Sequence, residues 1–494
     1  MRELAYILVI DQSTSATKAI IFDEKANIIK RSNVYHEQIY PKPGWVEHDP
    51  EEIYNNTIIA MKTVLNESGV NPSEIIALGI TNQRETVLVW DKTTGKPVYN
   101  AVVWQCKRGE EICERIRSEE TEELIKKKTG LKLSPYFSAA KVKWILDNLN
   151  ETYNSNNLLF GTIDCWLVWE LTKGESYATD YSNASRTQLF NIVDLKWDDE
   201  LFNLFEIDLV EKPKVLCSDE IFGYTTAEGI FPKPIPICGV IGDSQGALFG
   251  QGCWREGDIK ATYGTGSSIM MNTGEKIVVT DKLSTSIAWG FENKVSYVIE
   301  GNINFSGATL KWLAENLELI GSVKECANIA KQVKSTDGVY FVPAFTGLAS
   351  PYWNSRAKAA IVGMNVDTKK AHIVRAAEES MAYQVRDIIE AIKEVFPTNI
   401  CKLNADGGPT KDEFLMQFQA DILGIPVYVN NLEEVSALGA MLMAGFGIKM
   451  WRESREVLNL IRHDRIYMNN MDEITREQLY RGWKKAVDSV LMSS

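Results

Sequence analysis

Short apolar runs, each ended abruptly by small or polar residues, recur along this chain and predict buried strands between amphipathic helices. Residues 4–10 (LAYILVI) stop at Asp11, and the apolar pattern resumes at residues 19–22 after the turn Asp11-Gln12-Ser13-Thr14-Ser15-Ala16-Thr17-Lys18. Strand, hydroxyl-rich turn, strand predicts a hairpin. The same pattern returns in the second half, where residues 258–263 lead into Gly264-Thr265-Gly266-Ser267-Ser268 and residues 269–272 follow. Almost midway between them, residues 236–250 (PICGVIGDSQGALFG) are apolar up to Gly242, present Asp243, and read as a helix from Gln245. Helical spacing predicts helices at 49–66, 136–148, 161–172, 368–395, 412–423 and 436–446, and a further one entered through Ser306-Gly307-Ala308. Strands are predicted at 75–80, 87–90, 101–105, 338–346 and 403–408; residues 180–190 read as a loop leading into a strand, and 225–236 as a Pro-rich surface connection.

The polar residues at the run ends carry the candidate chemistry. A hairpin tip rich in Ser and Thr offers backbone N–H groups and hydroxyls to a phosphate; beside it Asp11 can hold hydrated Mg²⁺, and Lys18 can offset phosphate charge. The same residues also suit an ordinary turn. Two such hairpins flanking one carboxylate make the phosphate reading sharper. Asp243, at a strand end among small residues, suits a general base toward a hydroxyl, its basicity raised by partial desolvation; the alternative is a helix cap. Arg84 and Glu85 can share the hydroxyls of a polyol, or form a surface ion pair. Trp104 can cover a small carbon skeleton, or be plain core. Gly407-Gly408 before a helix lets a flat ring approach the backbone, or marks a simple helix entry.

Composition narrows the partners. A chain of 494 residues with 45% hydrophobic and 24% charged residues suits about two globular domains. A net charge of −13 argues against nucleic acid or an anionic membrane surface. The eight cysteines are scattered without a C-x-x-C pair and the four histidines do not cluster, which points to a reducing cytoplasm and to no zinc site. The apolar run at 4–10 is too short for a leader or a membrane span. No G-x-x-x-x-G-K-[ST] motif occurs, and Gly264-Thr265-Gly266 lacks a third Gly at dinucleotide-site spacing.

On longer motifs the chain resembles the FGGY carbohydrate kinases and, within them, the glycerol kinases. Residues 136–148 are similar to the first family signature through Tyr136, Ser138, Lys141, Trp144, Asp147 and Asn148. Residues 359–379 are similar to the second through Ala359, Ile361, Gly363, Met364, His372, Ile373, Ala376 and Glu379, with Glu378 where an apolar residue is usual. GITNQRET (79–86), VVWQCKR (102–108), DYSNASRTQLFNI (180–192), TYGTG (262–266), FVPAFTGL (341–348) and FLMQFQADILG (414–424) resemble the glycerol kinases in particular.

The resemblance implies an α/β architecture of two ribonuclease H-like domains of the actin and hexokinase type flanking a cleft, divided as residues 1–249 and 250–494. It implies ATP and Mg²⁺, γ-phosphoryl transfer to a small polyol, a cytoplasmic enzyme without membrane insertion, and a homodimer or homotetramer. By position it implies Asp243 as base; Arg84, Glu85, Trp104, Tyr136, Asp243, Ser244 and Ser268 around the polyol; and Asp11 at the metal. Thr14, Ser15, Lys18, Gly264, Thr265, Gly307, Gly408 and Asp412 fall to the nucleotide. Several positions depart from the pattern. Ser244 replaces a Gln and Ser268 an aromatic, both in the polyol pocket, which leaves room for a longer polyol or a ketose such as erythritol, a pentitol or a xylulose-like sugar. Ser13 replaces a Gly in the first phosphate loop, and Asp412 an Asn near the purine. A filament-forming protein of actin-like architecture is the rival from another class, and it has no need of a polyol pocket.

Overall fold

The computed structural model describes residues 5–149, 157–430, 432–451 and 454–494; Leu4, at the start of the first predicted strand, lies outside them. The first half is built on a six-stranded sheet of β1 (Tyr6–Gln12), β2 (Ala16–Asp23), β3 (Ile28–Tyr35), β4 (Ile75–Asn82), β5 (Ile221–Thr225) and β6 (Ile235–Gly242), in the order β5-β6-β4-β1-β2-β3. β1 to β3 form antiparallel pairs, whereas β4 runs parallel to both β1 and β6. The central strands are covered on both faces, which is why they read as nearly unbroken apolar runs. Helix α1 (Pro50–Ser68), capped by the Asp49 side chain at the N–H groups of Glu51 and Glu52 and closed by Gly69 at φ 72°, carries the chain from β3 over to β4.

The second half repeats this wiring. A seven-stranded sheet of β7 (Ile259–Tyr263), β8 (Ser267–Gly274), β9 (Ser284–Phe291), β10 (Lys294–Ile303), β11 (Leu403–Asp406), β12 (Val427–Val429) and β13 (Arg465–Tyr467) has the order β9-β10-β8-β7-β11-β12-β13. β7 and β8 make the hairpin, β10 takes the place of β3, and β7, β11 and β12 are mutually parallel neighbours.

Of the remaining helices, α2 (Ser138–Asp147) and α3 (Ile163–Leu171) belong to the first half, and α4 (Asp243–Gly250) follows β6 directly. α5 (Gly307–Glu315) packs on α6 (Lys370–Val395), which with α7 (Glu413–Leu423) lies against the second sheet, while α8 (Val435–Gly447) returns to pack on β1, β4 and β6 of the first. α4 and α8 cross at glycines: a Cβ on Gly439 would stand 1.9 Å from the Gly246 carbonyl oxygen, and one on Gly250 would stand 2.4 Å from that of Val435. A core drawn from both halves, from Ile7 and Val9 through Met270 and Val298 to Met441 and Ala444, surrounds this crossing.

Four local expectations change. The strand expected at 101–105 spans only Ala101–Val102, because the Cys106 N–H turns back to the Val103 carbonyl and leaves Trp104 on the turn. Gly161 does not begin a helix; it lies in a strand, Leu158–Thr162, where a Cβ would run into Cys165. The loop expected at 180–190 holds a short buried helix, Tyr181–Ala184. The connection at 225–236 is anchored by buried Ala227 and Phe231 rather than lying freely on the surface, and Pro236 is already within β6.

Candidate active site

Register decides what meets at the strand ends. Asp11 on β1 stands beside Thr81 on β4, and Thr81 beside Ile241 on β6; one row further Gln12, Asn82 and Gly242 align. Arg84 and Asp243 therefore emerge together just past the carboxyl ends of three parallel strands, where open α/β sheets place their ligands. Gly242 is held there by an N–H bond to the Ser182 hydroxyl, and Asn82 and Asn183 exchange amide hydrogen bonds at 3.0 and 3.1 Å, so the buried segment after Asp180 buttresses the row. Asp243 is the first residue of α4, not its cap: Gly242 occupies the cap position and no side chain caps the helix. Asp243 is half-buried, with its side chain 40% exposed.

The polyol-side residues are assembled around buried charge. Arg84 reaches Glu300 with both terminal nitrogens, at 2.9 and 3.2 Å, and its Nε lies 3.4 Å from Asp243 Oδ1. Glu85, in the left-handed region at φ 61°, pairs with Arg186 Nε at 2.5 Å, and Arg186 lies 3.0 Å from Glu300. Arg84 and Glu85 are thus neither a surface pair nor each other's partners. Burial alone would raise the Glu300 carboxyl; the Arg84 and Arg186 guanidiniums instead hold it well below the carboxylate range. Trp104 donates its indole N–H to Thr14 Oγ1 at 3.0 Å and stands edge-on to Tyr136 at 5.6 Å, which ties the polyol side to the first hairpin. Ser268 donates to Glu300 at 3.1 Å, and the Ser244 hydroxyl lies 3.3 Å from Asp243. Lys141 is not in the cleft: it is buried and donates to the backbone carbonyls of Tyr136 and Phe137, and burial draws its ammonium down to about 7.

On the first hairpin Asp11 faces Lys18. Burial pushes the Asp11 carboxyl up to about 6, Lys18 draws it down, and Glu434 and Asp243 push it up again. The Asp11 carboxylate is a hard oxygen donor of the kind Mg²⁺ takes, and among the described residues no group of three or more His, Cys, Asp or Glu side chains that could hold a metal ion occurs. The second hairpin opens onto a cavity of about 840 Å³ in which Gly264, Thr265, Gly307, Gly408 and Asp412 all take part, with Leu310 and Leu415 among its apolar walls. A Cβ on Gly408 would meet nothing within 4 Å, so that backbone faces open space; Gly407, at φ 98°, has Tyr263 behind it and admits no side chain. Asp412 caps α7 through the N–H groups of Phe414 and Leu415. Behind it, on α6, Glu378 is fully buried with neither oxygen completing a hydrogen bond; burial foremost, then the neighbouring Asp412 carboxylate, pushes its carboxyl up to about 10.

The N-terminal domain model of the FGGY family of carbohydrate kinases matches residues 6–250, and the C-terminal domain model of that family matches residues 259–448. The chain belongs to this family. The FGGY kinase is 53% identical to glycerol kinase 1 of Thermotoga maritima, over 98% of this chain and 99% of that protein, and 46% identical to the glycerol kinase of Staphylococcus haemolyticus, with 98% of each covered. Its structure matches the crystal structure of Plasmodium falciparum glycerol kinase with ADP at a TM-score of 0.93 and 39% identity, covering 99% of this chain and 98% of that one. The xylulose kinase of Lactobacillus acidophilus shares the fold, with a TM-score of 0.87 at 19% identity over 99% and 98% of the two chains. The two-domain actin- and hexokinase-like α/β fold expected from the motifs is the fold of this kinase, and the protein is a phosphotransferase. No helix among the described residues is long and apolar enough to cross a membrane.

Sequence reasoning missed Glu300, Arg186, Gln245 and Lys260 in this FGGY kinase, all buried about the polyol side. Glu300 interrupts an apolar strand, YVIEGNI, and that lone charge was the available signal; Lys260, in DIKATY beside Asp258 and Thr262, gave no such contrast.

Proposed function

We propose that this kinase transfers the γ-phosphoryl group of ATP to a primary hydroxyl of glycerol, giving glycerol 3-phosphate. The observation that carries the reading is the place of Asp243: an accessible carboxylate between the Arg84–Glu85–Trp104–Tyr136 wall and the two phosphate-suited hairpins, in a chain alike from end to end to proteins named glycerol kinase. Asp243 accepts the proton of the attacking hydroxyl as the oxygen–phosphorus bond forms. Arg84 orients Asp243 through its Nε while Glu300 holds the rest of the guanidinium, so the base is aimed by a group that is itself fixed. The Glu85 carboxylate and the Arg84 guanidinium supply an acceptor and donors to the polyol hydroxyls, and the Trp104 and Tyr136 rings cover its carbons. Backbone N–H groups about Thr14, Ser15 and Thr265 hold phosphate oxygens, while the Gly264 N–H closes the second turn on the Gly266 carbonyl. The cavity lined by Gly307, Gly408 and Asp412 takes the nucleoside; a volume of about 840 Å³ suits a ligand of that size. Asp11 would hold Mg²⁺, which when bound supplies positive charge against the γ-phosphate. Closure of the two halves excludes water and suppresses ATP hydrolysis.

Ser268 supports a second reading of the substrate. Its hydroxyl is committed to Glu300 and leaves a small polar wall, on which a longer polyol or a ketose would also fit. ATP-dependent phosphorylation of glycerol, erythritol, pentitols, dihydroxyacetone and ketopentoses, compared by kcat/KM, separates the two. A wide lead for glycerol is expected; a lead for a longer substrate would overturn the choice of glycerol and keep the phosphotransferase.

A further inference from the structure

Asp11 and Lys18 face each other across the first hairpin, and an ammonium beside a carboxylate competes with any divalent cation for it. The Lys18 ammonium is shared between two carboxylates and lies nearer the second, 2.6 Å from Glu434 Oε2 against 3.5 Å from Asp11 Oδ2. Glu434 comes from the other half of the chain, in the connection between β12 and α8, and its carboxylate is only 4% exposed. Its second oxygen is held by Arg31 at 2.9 Å. Arg31 also pairs with Glu433 at 3.0 Å, and Glu433 with Lys411 on the rim of the nucleotide cavity at 2.6 Å.

We propose that Glu434 is a positioning residue of the phosphate site: its buried carboxylate takes the larger share of the Lys18 ammonium and so weakens that ammonium's competition with a divalent cation for Asp11. The inference rests on the reading of this cleft as a Mg²⁺–ATP site. Without Glu434, Asp11 and Lys18 form a neutral pair closed on itself.

The test uses the full chain in the presence of ADP, titrated with Mn²⁺ and followed by the paramagnetic resonance of the free ion. Phosphorylation of glycerol against free Mg²⁺ is measured in parallel. In Glu434→Gln, Mn²⁺ affinity is expected to fall about tenfold and half-saturating Mg²⁺ to rise by the same factor, with KM for glycerol unchanged within about twofold. Adding Lys18→Met to Glu434→Gln is expected to return Mn²⁺ affinity to within about threefold of wild type, whatever it does to turnover, because the competing cation is gone. Glu434→Asp, which keeps the charge but withdraws it from Lys18 by one methylene, is expected to weaken Mn²⁺ about two- to threefold, and it carries the test if Glu434→Gln fails to fold. Unchanged Mn²⁺ affinity in Glu434→Gln, or in Glu434→Asp where that variant carries the test, overturns the proposal, as does a loss that Lys18→Met does not repair. Failure of the wild type to phosphorylate any polyol would instead overturn the functional reading, and the Mn²⁺ titration distinguishes the two failures.

Discussion

Asp243 and Glu378 are two carboxyl groups that the chain treats in opposite ways. Asp243 is partly exposed and aimed by Arg84; Glu378 is sealed behind Asp412 without a completed hydrogen bond. Replacing Asp243 by Asn removes the proton acceptor and keeps the shape, so kcat is expected to fall about 10²–10⁴-fold while ADP affinity by calorimetry is retained. Wild-type turnover in that variant would remove Asp243 from the role of base. Glu378 makes a pH prediction. Its carboxyl is raised from 4.5 to about 10, so the folded chain keeps a proton that the unfolded chain has lost throughout that window, and stability falls as pH rises across it. Glu378→Leu abolishes this dependence. Its gain in stability over wild type is expected to be larger at pH 8 than at pH 5 by at least ~1 kcal/mol, read from thermal melts of both proteins at both pH values. Which of these residues could be read beforehand follows from distance along the chain. Asp11 and Asp243 end apolar runs and announce themselves, and Glu378 stood out as a charge in an apolar place. Glu300 finds its partner Arg84 across 216 residues, and Arg186 finds Glu85 across 101, so nothing local told what either charge was for.

Elements were legible wherever one face or both faces of a run are buried for its whole length, as in β1, β4, β6 and α6. They were misread where a turn is imposed from outside. The strand at Ala101–Val102 ends early because the chain must bring Trp104 round to Thr14, and the helix after Leu158–Thr162 starts late because Gly161 is pressed against Cys165. Glycines give a paired prediction at this scale. Gly439→Ala would drive a methyl group into the Gly246 carbonyl at the α4–α8 crossing, and a loss of about 1–3 kcal/mol in urea unfolding is expected. Gly408→Ala meets nothing within 4 Å, so its unfolding should match wild type, while ADP binding weakens because the methyl group enters the space the nucleoside needs. Unaltered ADP affinity in Gly408→Ala would move the nucleoside out of that cavity.

At the scale of the whole molecule, two halves of like wiring are held together by the α4–α8 crossing and its shared core, with the candidate groups for phosphate, metal and polyol distributed on both sides. A pivot packed backbone to backbone permits rotation with little rearrangement of side chains. Glycerol together with a non-hydrolysable ATP analogue is therefore expected to lower the radius of gyration measured by X-ray scattering below that of the free protein. An unchanged radius would mean that the free kinase is already closed. The cluster of buried charges has a consequence for divisibility. Arg84, Arg186 and Glu85 come from the first half and Glu300 from the second, where Lys260 is buried as well. A gene cut between codons 250 and 259 would encode one polypeptide short of a buried anion and another holding that anion without its two guanidiniums, each defect the kind that unfolds a domain. Expressed apart, the fragments should be insoluble; expressed together, they should find each other. The molecule is two-lobed in shape but single as a unit of inheritance.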